Sequence, residues 1–367
     1  MTEPDAVIVG GGAMGAAAAW ALARRGRRVV LFEQFAAGHD RGSSYGATRI
    51  FRVAYRDPLY VALARRALPL WRELEHETGA VLLEQNGQLD HGWPGAVEEV
   101  GANLAAAGLD HERLSAAEAA RRWSGMRFEG PVVFSPDGGR CYAQATVAAL
   151  HRRARDLGAE LRFGERVEAL TLDPSGEGVR LRVGGSELRA PVAVAAVGAW
   201  AASLLAGVVE LPPLRVTEEQ PAHFRPRDPD ARWPSFLHHA APAPGQPAGF
   251  AAYGLFTPGE GMKVGEHLIG RPVDPDARAG GVDPAALARL TAYVRDWFPG
   301  LDPEPLSTTS CLYTTTPDEH FVIDRRGPVV VCSPCSGHGF KFVPAVGELV
   351  ADLCDAKRHD FTPLHLP

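Results

Sequence analysis

Lysine is almost missing from this chain. Of its 38 basic side chains only Lys263, Lys341 and Lys357 are lysines; the rest are arginines. A drift toward arginine makes each remaining lysine informative, because a point ammonium and a guanidinium fork are not interchangeable. Cysteine is scarce as well. Cys141, Cys311, Cys332, Cys335 and Cys354 are an odd number spread over 367 residues, which excludes a disulfide-built scaffold. No apolar run approaches the ~20 residues that span a bilayer, so no membrane-spanning helix is expected. A net charge of -6 supplies no basic field for nucleic acid. The first residues, Met-Thr-Glu-Pro-Asp, lack the basic start of a secretory signal, and the expectation is a cytoplasmic protein. There is no second C-x-x-C beside Cys332 and Cys335 and no H-E-x-x-H, so no metal is expected. Internal repeats are absent too.

What is present is an ordinary globular composition. Apolar residues are 46% and charged residues 22%, and the length suggests two domains, at most three. The N-terminus is the clearest segment. Ala6-Val7-Ile8-Val9 reads as a short buried strand, Gly10-Gly11-Gly12-Ala13-Met14-Gly15 as a turn, and Met14–Arg25 as an alanine-rich helix stopped by Gly26. Arg28–Phe32 reads as the next strand, ending at Glu33, which completes a βαβ unit. Further helices are predicted over 59–78, 96–107, 115–123, 145–157 and 284–298, and strands over 179–183, 192–197, 262–269, 308–316 and 329–331. Residues 225–248 are proline-rich and read as irregular loop, with His238 and His239 in it as a solvated pair. Ser336-Gly337-His338-Gly339 is expected to open a last helix running to about Cys354.

Gly10, Gly12 and Gly15 fit G-x-G-x-x-G. In a chain with 40 glycines the pattern alone is weak, but here it lies between a predicted strand and helix and is followed by an acidic strand end. Gly10 permits the tight turn, Gly12 lets backbone approach a pyrophosphate, and Gly15 lets helix pack on strand. The helix N-terminus offers amide donors to phosphates, and Glu33 is placed to accept from ribose hydroxyls. This unit does not separate FAD from NAD.

Three further clusters stand out. Arg49 and Arg52, in Gly42-Ser43-Ser44-Tyr45-Gly46-Ala47-Thr48-Arg49-Ile50-Phe51-Arg52, share a face if the segment is a helical turn, and two guanidinium groups there suit an anion. In Gly261–His267, Lys263, Gly265 and His267 share one face of a strand, leaving room for a flat ligand beside the glycine. In Cys311-Leu312-Tyr313-Thr314-Thr315-Thr316-Pro317-Asp318-Glu319-His320-Phe321, Cys311 and Tyr313 share a strand face, and Ser336–Phe342 follows. The bland readings are solvated arginines and wet strand faces.

These motifs, in this order and over nearly the whole chain, resemble the monomeric sarcosine oxidase family of flavin amine oxidases, which includes N-methyltryptophan oxidase. The resemblance implies FAD rather than NAD, attached covalently through a cysteine for which Cys311 is the match. It implies that Arg52 and Lys341 hold a substrate carboxylate, that Lys263 activates dioxygen, and that Tyr253, His267 and Tyr313 line the substrate pocket. Arg49 matches a basic residue beside the flavin. Ser43, Ser44, Val167, Gly337, Gly339 and Phe340 fall where the family touches FAD. Two of the three lysines therefore stand at family site positions. The chain departs from the pattern at Pro334-Cys335, where the family has Gly-Phe, and at Tyr45, where sarcosine oxidase has a histidine.

The reading is an α/β protein with a discontinuous Rossmann-type FAD domain (1–84, 142–213 and 316–367) and a substrate domain with an antiparallel or mixed sheet (85–141 and 214–315). The expected reaction is oxidation of a secondary amine, an N-methyl or cyclic amino acid, to an imine with release of hydrogen peroxide. The expected partners are a small amino or imino acid and dioxygen, and the expected state is a monomer. The alternatives are a flavin dehydrogenase with another acceptor, a specialised biosynthetic imino-acid oxidase, a glycine-type oxidase, and a non-catalytic flavoprotein or a dithiol protein built on Cys332 and Cys335.

Overall fold

The computed structural model describes residues 3–242, 250–278 and 280–366. Its centre is a six-stranded sheet of Val322–Arg326, Val329–Ser333, Ala193–Ala195, Ala6–Val9, Val29–Glu33 and Glu160–Phe163, in that spatial order. Every pairing is parallel except the hairpin Val322–Arg326/Val329–Ser333. Parallel strands need crossovers, and the helix Ala13–Arg24 supplies the first. Its alanines are buried and small, which allows close helix packing. Ala17 and Gly347 of the helix Val343–Cys354 meet so closely that a Cβ on Gly347 would come within 2.7 Å of the Ala17 carbonyl oxygen.

A second sheet has eight strands: Leu301–Thr308, Ala222–Pro226, Gly261–Gly265, Phe250–Thr257, Ser235–His239, Gln88–Gly92, Val132–Ser135 and Glu112–Leu114. It is antiparallel apart from the parallel pair Ser235–His239/Gln88–Gly92, hence mixed as expected. Apolar residues from it pack with Trp233, Phe298 and Leu290 in a core separate from that of the parallel sheet. Smaller sheets join the two. Thr48–Phe51 pairs with Gly139–Tyr142, and Cys311–Thr315 pairs with Arg215–Glu219.

Helix boundaries follow local chemistry. Asp57 accepts from Leu59 N, Pro58 occupies the first turn, and Gly79 at φ 65° ends the helix Pro58–Thr78. Asp283 and Pro284 do the same at the start of Pro284–Trp297.

Five expectations need correction. Arg49 lies on the strand Thr48–Phe51, so Arg49 and Arg52 are not on a helical turn; pairing with Gly139–Tyr142 holds the segment extended. The 225–248 loop contains the end of one strand and all of Ser235–His239; His238 and His239 are buried, because that strand lies inside the eight-stranded sheet. Residues 243–249 of that loop lie outside the described residues. The strand expected over 262–269 ends at Gly265, and that over 308–316 is two strands that meet around Thr309 and Ser310. The last helix does not begin at Ser336. A turn there, with Ser336 at φ 40°, leads into a short 3-10 turn at Phe340–Phe342, and the helix starts at Val343.

A Cβ at position 15 would lie 1.8 Å from the Gly10 carbonyl oxygen. Gly15→Ala is expected to cost about 3 kcal/mol or more, the upper range for overpacking. Urea denaturation checks it, and a midpoint equal to that of the parent chain overturns this account of the turn.

Candidate active site

One cavity of about 940 Å³ runs between the two large sheets. One end is the turn Gly10–Met14. Gly10, at φ 103°, approaches the Ala196 carbonyl so closely that a Cβ would lie 2.4 Å from its oxygen. Gly12 caps the helix without a side-chain bond of its own. Ser44 reaches over instead, its Oγ accepting from Ala13 N at 2.9 Å. Glu33 accepts from Gly11 N at 2.7 Å and Phe35 N at 2.9 Å. Burial raises its pKa, but His39 and the two backbone donors outweigh that and hold it below the usual carboxylate range. His151, from the helix Ala143–Asp156, braces the turn with Nε2 2.9 Å from the Gly11 carbonyl oxygen. Burial pushes it down to about 4, so it is a neutral donor there. Val167, Trp200 and Phe163 line the same end.

At the other end the cavity is cationic. Arg49 donates to the carbonyls of Thr48, Ser43 and Tyr45 at 2.8, 3.0 and 2.6 Å. Arg52 is buried, its guanidinium carbon 3.7 Å from the Tyr55 ring centroid. Lys341 donates to the His338 carbonyl at 2.6 Å, and Trp71 Nε1 donates to the Lys341 carbonyl at 2.8 Å, which pins the 3-10 turn. Lys263 donates to the Thr48 carbonyl at 3.2 Å. Burial, then the charge of Arg52, drives the Lys341 ammonium well below its ordinary range. Burial, then Arg49, brings Lys263 down to about 7. His267 falls to about 3 through burial and the charges of Arg52 and Lys341, so its ring is neutral.

The eight-stranded sheet supplies one wall through strand alternation. His223 is the register partner of Lys263, Lys263 of Leu255, and Tyr253 of Leu237. All five line the cavity. Tyr253 and Tyr313 share a hydrogen bond, and burial raises both phenols. Glycines make room for these rings. A Cβ on Gly337, at φ 74°, would lie 2.3 Å from the Tyr313 ring, and one on Gly265 would lie 2.8 Å from Tyr253. Cys311 stands partly exposed on the wall, opposite Glu219 in its sheet. Cys332 and Cys335 also line the cavity as free thiols, and burial pushes Cys335 up to about 11. Among the described residues no group of three or more His, Cys, Asp or Glu side chains is placed to hold a metal ion.

The structure therefore brings Gly10, Gly12, Glu33, Ser43, Ser44, Arg49, Arg52, Val167, Tyr253, Lys263, His267, Cys311, Tyr313, Gly337, Gly339, Phe340 and Lys341 to one cavity. Gly15 lies beneath it, against the Gly10 carbonyl. His267 reaches the cavity from beyond the end of its strand, so the shared strand face with Lys263 does not hold. The sequence reading missed His151, Trp200 and His223, which stand on elements away from the motifs and leave no local signal, and Glu260, which directly precedes the Gly261–His267 cluster.

This cavity fits a dinucleotide. It is long, one end is a glycine turn at a helix N-terminus with an acidic strand end beside it, and the other end is a chamber rich in cations and hydroxyls. The comparisons agree. A profile of the family described as FAD dependent oxidoreductase (DAO) matches residues 5–353. The chain is 34% identical to a peroxisomal sarcosine oxidase of Homo sapiens, over 95% of this chain and 91% of that one. It is 32% identical to a monomeric sarcosine oxidase of Bacillus sp. (strain NS-129), over 98% and 96%. It is 30% identical to an N-methyl-L-tryptophan oxidase of Salmonella dublin, over 99% and 98%. Among solved structures it is similar to NikD, described as an unusual amino acid oxidase essential for nikkomycin biosynthesis. There the TM-score is 0.87 and the identity 31%, with 100% of this chain and 98% of that one covered.

The chain has three lysines, so their side chains are resolvable by lysine-selective NMR. In the cofactor-free protein Lys263 is expected to lose its proton near pH 7. Lys263→Arg assigns the resonance, and a midpoint near 10 overturns the buried placement.

Proposed function

The chain belongs to the FAD dependent oxidoreductase family, and from that premise we propose that it oxidises a secondary amine, an N-methyl or cyclic amino acid, to the imine, with dioxygen reduced to hydrogen peroxide. The observation that carries the reading is the continuity of the cavity: the glycine turn and Glu33 at one end, Arg52, Lys341, His267, Tyr253 and Tyr313 at the other, and Cys311 on the wall between.

FAD would be held by Gly10, Gly12, Glu33, Ser43, Ser44, Arg49, Val167, Gly337, Gly339 and Phe340, with Cys311 as the point of covalent attachment. When bound, it supplies the two-electron acceptor for the carbon–nitrogen bond. Arg52 and Lys341 hold the substrate carboxylate and fix the α-carbon. The same cations disfavour the ammonium form of the amine and lower its pKa, so that more of it is the reactive neutral form. His267, held neutral, adds no positive charge and serves as a hydrogen-bonding wall with Tyr253 and Tyr313. Lys263, as a buried cation, stabilises negative charge developing on dioxygen. Arg49 offers a fixed positive charge beside Ser43 and Tyr45.

The proposed division into an FAD domain (1–84, 142–213 and 316–367) and a substrate domain (85–141 and 214–315) is supported by strand membership. All six strands of the parallel sheet fall in the first set and all eight of the mixed sheet in the second. We also propose a cytoplasmic monomer. The likeness to NikD favours a second reading, a biosynthetic imino-acid oxidase. It differs in substrate and shares the site.

The purified yellow protein, mixed anaerobically with sarcosine, N-methyltryptophan, proline, pipecolate or glycine, is expected to bleach with a secondary amino acid. Bleaching by none of them sinks the proposal for these substrates. Acid precipitation is expected to leave flavin on the parent chain and release it from Cys311→Ser; flavin retained by that variant moves the attachment elsewhere. Lys263→Met is expected to slow the reaction with dioxygen by a factor of ~100 or more, the scale of one lost electrostatic contact, and to spare substrate oxidation. Stopped-flow separates the two steps, and equal losses in both remove Lys263 from the oxygen step.

A further inference from the structure

Behind Arg52 lies a buried carboxylate that the amine oxidase reading does not use. Gln88–Gly92 is the parallel neighbour of Ser235–His239, and Asp90 is the register partner of Leu237. Asp90 and Gln88 are fully buried and His239 nearly so. His239 Nε2 stands 2.7 Å from Asp90 Oδ1, and Gln88 Nε2 donates to Asp90 Oδ2 at 3.0 Å. The same Oδ1 is 3.9 Å from Arg52 Nη1. Among Arg49, Arg52, Lys263 and Lys341, Arg52 alone has a carboxylate within 4 Å among the described residues.

Building on the reading of Arg52 as a carboxylate-binding residue, we propose that Asp90 is an internal counter-anion of Arg52, which competes with the substrate carboxylate and so sets how tightly the pocket holds an amino acid. A buried guanidinium needs a compensating charge when no ligand is present. At 3.9 Å Asp90 provides that charge without a hydrogen bond that would commit the guanidinium to it. His239 and Gln88 keep it at that distance by occupying both of its oxygens. An arriving carboxylate must then share Arg52 with a charge already present. Asp90 does not line the cavity, so it acts through Arg52 and touches no substrate. The groups facing it are Arg52, His239, Gln88 and the buried Tyr55 phenol, which feels its charge. The His91–His238 stack beside them is held neutral, since burial pushes His238 down to about 4 and His91 well below its ordinary range.

Neutralising Asp90 is expected to tighten carboxylate binding, the reverse of what damage to packing would do. Asp90→Asn is nearly isosteric, and the unpartnered Gln88 Oε1 can turn to accept from the new amide. Acetate and its uncharged counterpart acetamide are titrated into the cofactor-loaded protein, read by flavin absorbance and independently by thermal shift. Asp90→Asn is expected to lower the acetate Kd about tenfold or more, the scale of a close charge pair, and to leave that of acetamide unchanged. His239→Leu frees Oδ1 to close on Arg52 and is expected to raise the acetate Kd, whereas His239→Gln retains a donor and stays near the parent value. An acetate Kd unchanged or raised in Asp90→Asn overturns the proposal, as does a shift in the same direction in Asp90→Asn and His239→Leu. If Asp90→Asn does not fold, the two His239 variants decide alone, and an unchanged acetate Kd in His239→Leu overturns it. Arg52→Met separates this proposal from the reading beneath it. Unchanged acetate affinity in Arg52→Met removes the carboxylate role of Arg52. Weakened affinity there, with Asp90→Asn still tightening acetate in that background, refutes only the competition for Arg52.

Discussion

Positive charge buried around a single cavity is the constraint on which the rest of this molecule depends. The buried Arg52, Lys263 and Lys341 and the half-buried Arg49 are brought together between two sheets, and all but Arg52 have no carboxylate within 4 Å among the described residues. Their partners are backbone carbonyls. Arg49 donates to those of Ser43, Tyr45 and Thr48, Lys263 to that of Thr48, and Lys341 to that of His338. A carbonyl already engaged in a helix or a sheet ladder is less free to turn toward a side chain. The segments that surround the cations are accordingly irregular, with glycine and serine between residues 42 and 46 and again between 336 and 339. The Thr48 carbonyl is the exception, at the start of a paired strand; the others lie in these irregular segments, where they are free to face the charges.

Glycine has a second, steric role at the same place. The Tyr313 ring lies where a side chain on Gly337 would be, and Tyr253 where one on Gly265 would be. Gly339 approaches the Pro334 carbonyl more closely than any residue with a Cβ allows. The two phenols can therefore sit against backbone, bonded to each other, and form a wall without adding charge. The chamber sets cations among neutral hydroxyl and imidazole groups.

Most helices and the first βαβ unit were legible because their signals are local. Asp57-Pro58 and Gly79 bound one helix, and Asp283-Pro284 starts another, each within a few residues of the backbone it fixes. The candidate site residues came from a resemblance, and the cavity gathers all of those it named except Gly15, which lies beneath it. The failures share a cause, which is pairing at a distance. Nothing near His238 and His239 says that they are covered, since their cover is a strand some 145 residues earlier in the chain, and Pro242 and its neighbours argue locally for a loop. Arg49 and Arg52 have helical spacing, but partners at 139–142 extend the segment. His151 reaches Gly11 across 140 residues. A single sequence records the residues of such contacts and not the contacts.

The electrostatics of the chamber also sort its groups by what they can do. At one extreme is the guanidinium, a group that does not give up its proton in a protein. His267, together with His338, stays neutral, because burial and the neighbouring cations oppose a further positive charge. The lysines lie between these extremes. Burial has brought Lys263 to about 7, near the point where an added anion decides its state, and has driven Lys341 in the same direction. An anion favours the protonated lysine and raises its pKa, so its binding takes up a proton and weakens as pH rises past the free lysine's pKa. Arginine at these two positions would hold a fixed charge and lose that response. In a chain that uses arginine almost everywhere else, this difference is a physical reason for lysine at 263 and 341.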